Sequence, residues 1–417
     1  MYIFTATAKN SKVSMQTLID LTLAAGFIAI FVVLLSAKVR KNRNWAATVT
    51  PLASIVGSGF LVSVPLIAGR VGIWAVPVIL ALSGIAFCLG GAIRYNIRYA
   101  EPLLADAAQQ LRSIEMMSHL VLIGAYFISV AYYLALLSTF GLKLFGIADP
   151  DMARAVSTAL VAAICGGGAL KGLSGAEKTE KFTVSANLAA IGALLACLLL
   201  FSLDLPAGHS WKNSAELQGS FDTQAVRFLM GMLIIVQGFE TTRFMGEMYD
   251  AETRISAMRR AQIVSSLIYV VFFALMIPLY PDFTSTTDVT GVISTIGRVS
   301  PWLPFVVIGG AIASQFSAAV ADSIGASGLV SDTTQRHVSS SHAYLLIGSV
   351  AVIVIWETDV LSIISLASRA FALFYALQSV VATQVAYRRK DNAKALWFSL
   401  MAAIAFAVTL LGIPSGG

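Results

Sequence analysis

Apolar residues run along this chain in stretches of about 20, each closed by a short polar or charged segment, and the pattern continues from Met15 almost to the C-terminus. A bilayer core about 30 Å thick is crossed by roughly 20 residues of apolar helix. The pattern therefore predicts spans near 15–37, 46–69, 71–93, 118–146, 152–170, 182–203, 224–247, 261–280, 301–326, 341–357, 360–387 and 393–413. That is an all-α integral membrane protein of about twelve transmembrane helices forming a single membrane domain. The first stretch, Met15 to Ala37, is too long for a signal-peptide core and is followed by basic residues, so it reads as a retained span. Between the third and fourth spans, Glu101 to Glu115 mixes Leu and Ala with charges at helical spacing, which reads either as a surface helix or as a soluble linker.

Composition agrees with the pattern: 57% of the 417 residues are hydrophobic and 12% are charged, with a mean hydropathy of +0.81. The net charge of +6 does not point to nucleic acid, because the Lys and Arg residues sit in short loops between spans. With the first loop placed in the cytoplasm, 18 of the 28 basic residues fall on that side and eight on the other, Arg243 and Arg369 lying within spans. This bias predicts a multi-pass protein of the cell membrane with both termini outside. Trp45, Trp74, Trp302, Trp356 and Trp397 lie near span ends, where an aromatic belt would have them. Cys88, Cys165 and Cys197 all fall in apolar stretches without metal-like spacing, so no disulfide framework is implied.

Two spans break their own pattern. The second carries Gly57-Ser58-Gly59 midway between Pro51 and Pro65, and the seventh carries Gln237-Gly238-Phe239-Glu240 at similar depth. Glycine and proline weaken helix. Both spans hold an Ile-Val followed closely by Gly-Phe, Ile55-Val56 with Gly59-Phe60 and Ile235-Val236 with Gly238-Phe239. Their starts are five spans apart, and an odd offset gives the two halves opposite orientation, as in transporters built on inverted repeats. Unwound backbone is tolerated in a bilayer only where it lines a cavity or is buried in protein. Small residues in membrane helices also serve close packing alone; the pairing of two such sites at this offset favours a binding site.

The segment Gly238 to Arg260, with its Gly-Phe-Glu break, Glu247 at the helix end and Arg254 in a basic loop, resembles the sixth core helix of the amino acid–polyamine–organocation (APC) superfamily. The Gly57-Ser58-Gly59-Phe60 break is similar to that superfamily's first core helix. The resemblance implies a LeuT-like fold, a 5+5 inverted repeat with one extra helix at each end. In this chain that places an extra helix and basic loop at 1–45, the repeats at 46–203 and 224–387, and a C-terminal helix at 388–417. Two features depart from the pattern. Members with a proton-sensing Lys in the fifth core helix would have it near Asn187, and the stretch Ala311 to Ile324 also resembles the Ser-rich helix of sodium–solute symporters.

An ionisable side chain at the bilayer centre costs about 2.5 kcal/mol or more on insertion scales, so each one needs a partner or a purpose. Glu240 and Arg243, three residues apart, either pair with each other or leave Glu240 as a proton-accepting or substrate-facing carboxylate. Arg369 either pairs with Asp322 or Glu240 or attracts a substrate carboxylate. Asp322 lies nearer the cytoplasmic end, where a solvated or gating role is expected. Gly57, Ser58, Gly59, Phe60, Tyr132, Gln237, Gly238, Phe239, Glu240 and Arg369 are the candidate substrate contacts, with Glu240 and Asp322 as coupling groups. Ser314 and Ser317, with carbonyls near Val56 and Gly59, would form the sodium site that the resemblance implies. Serine in a membrane helix otherwise bonds its own helix.

The function expected is a cation-coupled carrier, proton or sodium, of a small polar organic solute such as an amino acid. It needs no cofactor, and its partners are the solute and the lipid bilayer. The alternative is a solute sensor or channel without coupled transport. An enzyme is not expected, since no His-Glu-x-x-His or Gly-x-Ser-x-Gly pattern occurs. The charge bias is testable by reporter fusions after Lys390 and at the C-terminus: a periplasmic reporter should be active only at the C-terminus. Activity at position 390 instead would invert the topology.

Overall fold

The computed structural model describes residues 2–57, 59–103, 109–172, 176–205, 219, 221–283 and 290–414. Its helices are α1 (Tyr2–Leu35), α2 (Ala37–Arg40), α3 (Arg43–Gly57), α4 (Phe60–Val71), α5 (Ala75–Tyr95), α6 (Gln109–Leu144), α7 (Pro150–Lys171) and α8 (Ala176–Asp204). They continue with α9 (Thr223–Gly231), α10 (Ala251–Met276), α11 (Gly291–Gly297), α12 (Leu303–Thr333), α13 (Ser340–Glu357), α14 (Val360–Arg388) and α15 (Asn392–Leu411). Among the described residues, ten helices are long and apolar enough to cross a membrane, or eleven if α3 and α4, bent by 42° at their break, count as one span. The expected twelve is not reached by helices of that kind. The stretch expected as the seventh span is α9 followed by two 3₁₀ pieces, Leu233–Val236 and Phe239–Phe244. Gly238 between them has φ +115°, which no α-helix accommodates.

Helix ends are set by local chemistry. Asp149, Asp222, Asp250, Ser339, Asp359 and Asp391 each accept a backbone N–H of the following turn and so start α7, α9, α10, α13, α14 and α15. At Asp250, in the polar segment before α10, hydrogen bonds from the Thr253 backbone N–H and hydroxyl hold the carboxyl below its ordinary range. No separate surface helix joins the third and fourth spans among the described residues. Glu101–Leu103 is a 3₁₀ turn, and α6 runs unbroken from Gln109, so Glu115 sits inside a long helix and is buried.

The bundle core forms where α6 packs against α12 and α14 while α10 packs against α3 and α5. Helix α1 lies along α8, and α15 along α14, both on the periphery. Large apolar residues such as Leu21, Val32, Leu345, Ile353 and Leu396 remain exposed on outer helix faces, as expected of surfaces solvated by lipid.

At the centre, the two interrupted segments pack on each other through their glycines. A Cβ on Gly59 would lie 2.6 Å from Ile235 Cγ2 and 3.2 Å from its Cα, and one on Gly238 would lie 2.8 Å from the Ser54 carbonyl carbon. The contacts are reciprocal: the glycine of each break meets the residues just before the other break. Replacing Gly238 by Ala adds a clash with backbone to an unfavourable φ, a cost of about 2–4 kcal/mol. Thermal unfolding in detergent should show Gly238→Ala clearly less stable than Gly309→Ala, where a Cβ meets nothing within 4 Å.

Candidate functional site

The last carbonyls of a helix have no intrahelical donor ahead of them, and in a bilayer no water replaces it. At the first break, the end of α3 is satisfied by side chains from the other half of the chain. Gln315 Nε2 of α12 donates to the Gly57 carbonyl at 2.8 Å, and the Tyr269 hydroxyl of α10 donates to the Ile55 carbonyl at 3.2 Å. Val56, Gly57, Gly59 and Phe60 line a cavity of about 20 Å³ together with Asn187, Ser314 and Gln315. That volume suits roughly one water or one desolvated ion. Gln315 Oε1, buried there, has no hydrogen-bond partner among the described residues. Ser317, half-buried a turn further along α12, does not line the cavity. Ser58 lies outside the described residues.

The second break is built on Glu240, which is 1% exposed. Its Oε2 accepts the Gly238 backbone N–H at 3.0 Å and the Tyr375 hydroxyl at 2.7 Å, with Gln237 Oε1 at 3.4 Å from the same hydroxyl. The Phe239 ring stacks on Tyr375 at 4.9 Å. Ser368, two turns before Tyr375 on α14, accepts the Ile234 N–H at 2.8 Å. The carboxylate thus caps a backbone donor that the unwinding frees, and α14 supplies the hydroxyls around it.

Glu240 and Arg243 do not pair. Glu240 turns back to cap Gly238, whereas Arg243 reaches Glu115 at 2.7 Å, in a cluster where Arg254 binds Glu101 through both guanidinium nitrogens at 3.0 and 2.7 Å. Gln378 Nε2 joins Glu115 to Ser118, and His119 lies 3.1 Å from Glu115. This cluster lies toward the ends of α5, α6 and α10 that carry the basic loops. Asp322 is buried, not solvated: α12 turns it inward, where the Ser129 hydroxyl of α6 donates to it. Neither Glu240 nor Asp322 has an ion pair among the described residues.

Arg369 is exposed and donates to the Thr409 carbonyl of α15 at 2.7 Å, so it approaches neither Asp322 nor Glu240. Its place on α14 is the face toward α15, and the inward face carries Ser368, Phe371, Tyr375 and Gln378. Tyr132 is fully buried on α6, its ring 5.4 Å from that of Tyr133. The structure therefore gathers Val56, Gly57, Gly59, Phe60 and Ser314 at one centre and Gln237, Gly238, Phe239 and Glu240 at another. Ser317 and Arg369 belong to neither. Sequence reasoning missed Tyr269, Gln315, Ser368 and Tyr375. For the α14 residues, a polar stripe at helical spacing, Ser368 to Gln378, was the available signal.

Two interrupted segments crossing at the centre of a helical bundle are the arrangement expected of a LeuT-like fold, and solved structures of that fold superpose on it. MhsT, crystallised in complex with L-phenylalanine, superposes with a TM-score of 0.57 at 16% identity, covering 88% of this chain and 97% of that one. A manganese transporter of Eremococcus coleocola, crystallised as a mutant, gives 0.55 at 13% identity, covering 89% and 86%. A family model described as APC superfamily transporter matches residues 37–412, and the chain belongs to that family. An uncharacterized protein of Aquifex aeolicus (strain VF5) is 38% identical over 405 residues, 95% of this chain and 97% of its own.

A hydrogen bond to a charged group contributes about 1.5–3 kcal/mol. Tyr375→Phe, which takes from Glu240 its hydroxyl donor and leaves it backbone N–H, should lower the unfolding temperature in detergent measurably. Tyr387→Phe, at an exposed site on the same helix, should not.

Proposed function

We propose that this APC superfamily transporter is a cation-coupled carrier of a small polar organic solute, an amino acid or a related amine-bearing compound. The observation that carries the coupling is Glu240, a carboxylate buried at a helix break whose partners are a hydroxyl and a backbone N–H. An unpaired carboxylate charge this deep costs several kcal/mol. A bound cation removes that cost, and the proton is the smallest. Occupancy of Glu240 then biases how the second break packs, which is what coupling requires.

The cavity at the first break favours sodium as a second reading. Ser314 Oγ, the buried Gln315 Oε1 and nearby carbonyls are hard oxygen donors of the kind an alkali cation takes. Against it, the Gly57 carbonyl is already engaged by Gln315, and Ser317 stands apart. For the solute, the start of α4 at Gly59, which has no side-chain cap among the described residues, would offer backbone N–H groups to an anionic group. L-phenylalanine in MhsT is a solute with such a group. The charge bias supports the cell membrane with both termini outside.

Purified protein in proteoliposomes, screened with labelled amino acids and amines, should accumulate its solute only under an inward proton or sodium gradient. Glu240→Gln should retain solute exchange and lose accumulation driven by a proton gradient. Accumulation that survives dissipation of both gradients would refute coupling, and accumulation by Glu240→Gln driven by sodium alone would favour the second reading.

A further inference from the structure

Tyr269 is fully buried on α10, and its hydroxyl lies 2.5 Å from the Ile235 carbonyl and 3.2 Å from the Ile55 carbonyl. These two isoleucines hold corresponding places, each opening an Ile-Val pair just before a break. Both acceptors lie beside a break. Ile55 is in the last turn of α3, beyond which the helix stops at Gly57. Ile235 is in the 3₁₀ turn Leu233–Val236, and the N–H of Gly238, three residues on, is turned to Glu240 instead. The ring is held edge-on by Phe60 at 5.5 Å, so the hydroxyl cannot leave the crossing point without disturbing the first residue of α4.

A phenol has one proton for these two carbonyls. Both carbonyls are within its reach, so the hydroxyl can donate fully to only one of them at a time. We propose that Tyr269 is the positioning residue that makes the two interrupted segments open and close as one unit, its single proton shared between Ile55 and Ile235. Separation of the segments takes one carbonyl out of the hydroxyl's reach, so the shared contact favours their moving together. No charge is created, so the exchange fits a low-dielectric interior. The contacts of Gly59 with Ile235 and of Gly238 with Ser54 bring the segments close enough for one hydroxyl to reach both.

Hydrogen exchange measured by mass spectrometry on the protein in nanodiscs tests this without a known solute. In Tyr269→Phe, exchange in peptides covering the first break and the second should both rise about fivefold, the effect of losing a hydrogen bond worth ~1 kcal/mol. Exchange along the rest of α10 should stay unchanged. Unchanged exchange at both breaks, or a rise at only one, overturns the proposal. So does a uniform rise along α10, which would assign the residue to ring packing. p-Aminophenylalanine at position 269 keeps the ring and brings two N–H donors, one for each carbonyl, and should slow exchange at both breaks below wild type. That comparison stands even if Tyr269→Phe does not fold, and exchange that is equal or faster would sink the shared-proton claim.

Discussion

Peptide groups freed from helix inside a bilayer must find protein partners, and the centre of this transporter is organised around that requirement. The freed groups are met by side chains, most of them from a different helix. Gln315 of α12 takes the Gly57 carbonyl, Tyr269 of α10 takes carbonyls of both segments, Ser368 of α14 takes the Ile234 N–H, and Glu240 takes the Gly238 N–H of its own segment. The helices surrounding the breaks are therefore bound to them by directional bonds as well as by packing. Glycine at Gly59 and Gly238 lets the two backbones approach closely enough for those bonds to form.

Charge is distributed unevenly along the bundle. The buried arginines are engaged near the basic loops: Arg243 with Glu115, Arg254 with Glu101, and Arg94 with Gln262 and the Phe87 carbonyl. Deeper in, Glu240 and Asp322 have hydroxyl and amide partners only, among the described residues. Removing one partner of a buried ion pair leaves the other exposed to the full desolvation cost, so these pairs hold the second interrupted segment to α6, and α10 to the Glu101 turn, at that end. The centre, by contrast, carries carboxylates that no described cationic side chain neutralises. Tyr126, Phe371 and Tyr375 make a chain of edge and tilted ring contacts that ends at the hydroxyl bound to Glu240.

The architecture outlasts the residues that run it. Similarity to MhsT over most of both chains at 16% identity shows that one arrangement of helices is reached by sequences that share few residues. Asn187, an uncharged amide, lines the small cavity against Gly57 and Ser314. A neutral amide there leaves the cavity's balance to its oxygens.

Apolar stretches of membrane-crossing length, the basic bias of alternate loops and the two glycine-marked interruptions were legible in the chain because they are local. Hydropathy and backbone preference act within a few turns, and solvation by lipid makes them decisive. What the side chains touch was decided by tertiary structure. Glu240 and Arg243 stand three apart, yet cap and closure draw them to Gly238 and Glu115. Asp322 is turned inward to Ser129, and Arg369 outward to Thr409, by rotations of α12 and α14 that no spacing reveals. Partners 128 to 263 residues away in the chain, such as Arg243 with Glu115 or Gln378 with Glu115, meet only once the helices have packed. Their bonding energy depends on that meeting, and so it could not be read before it.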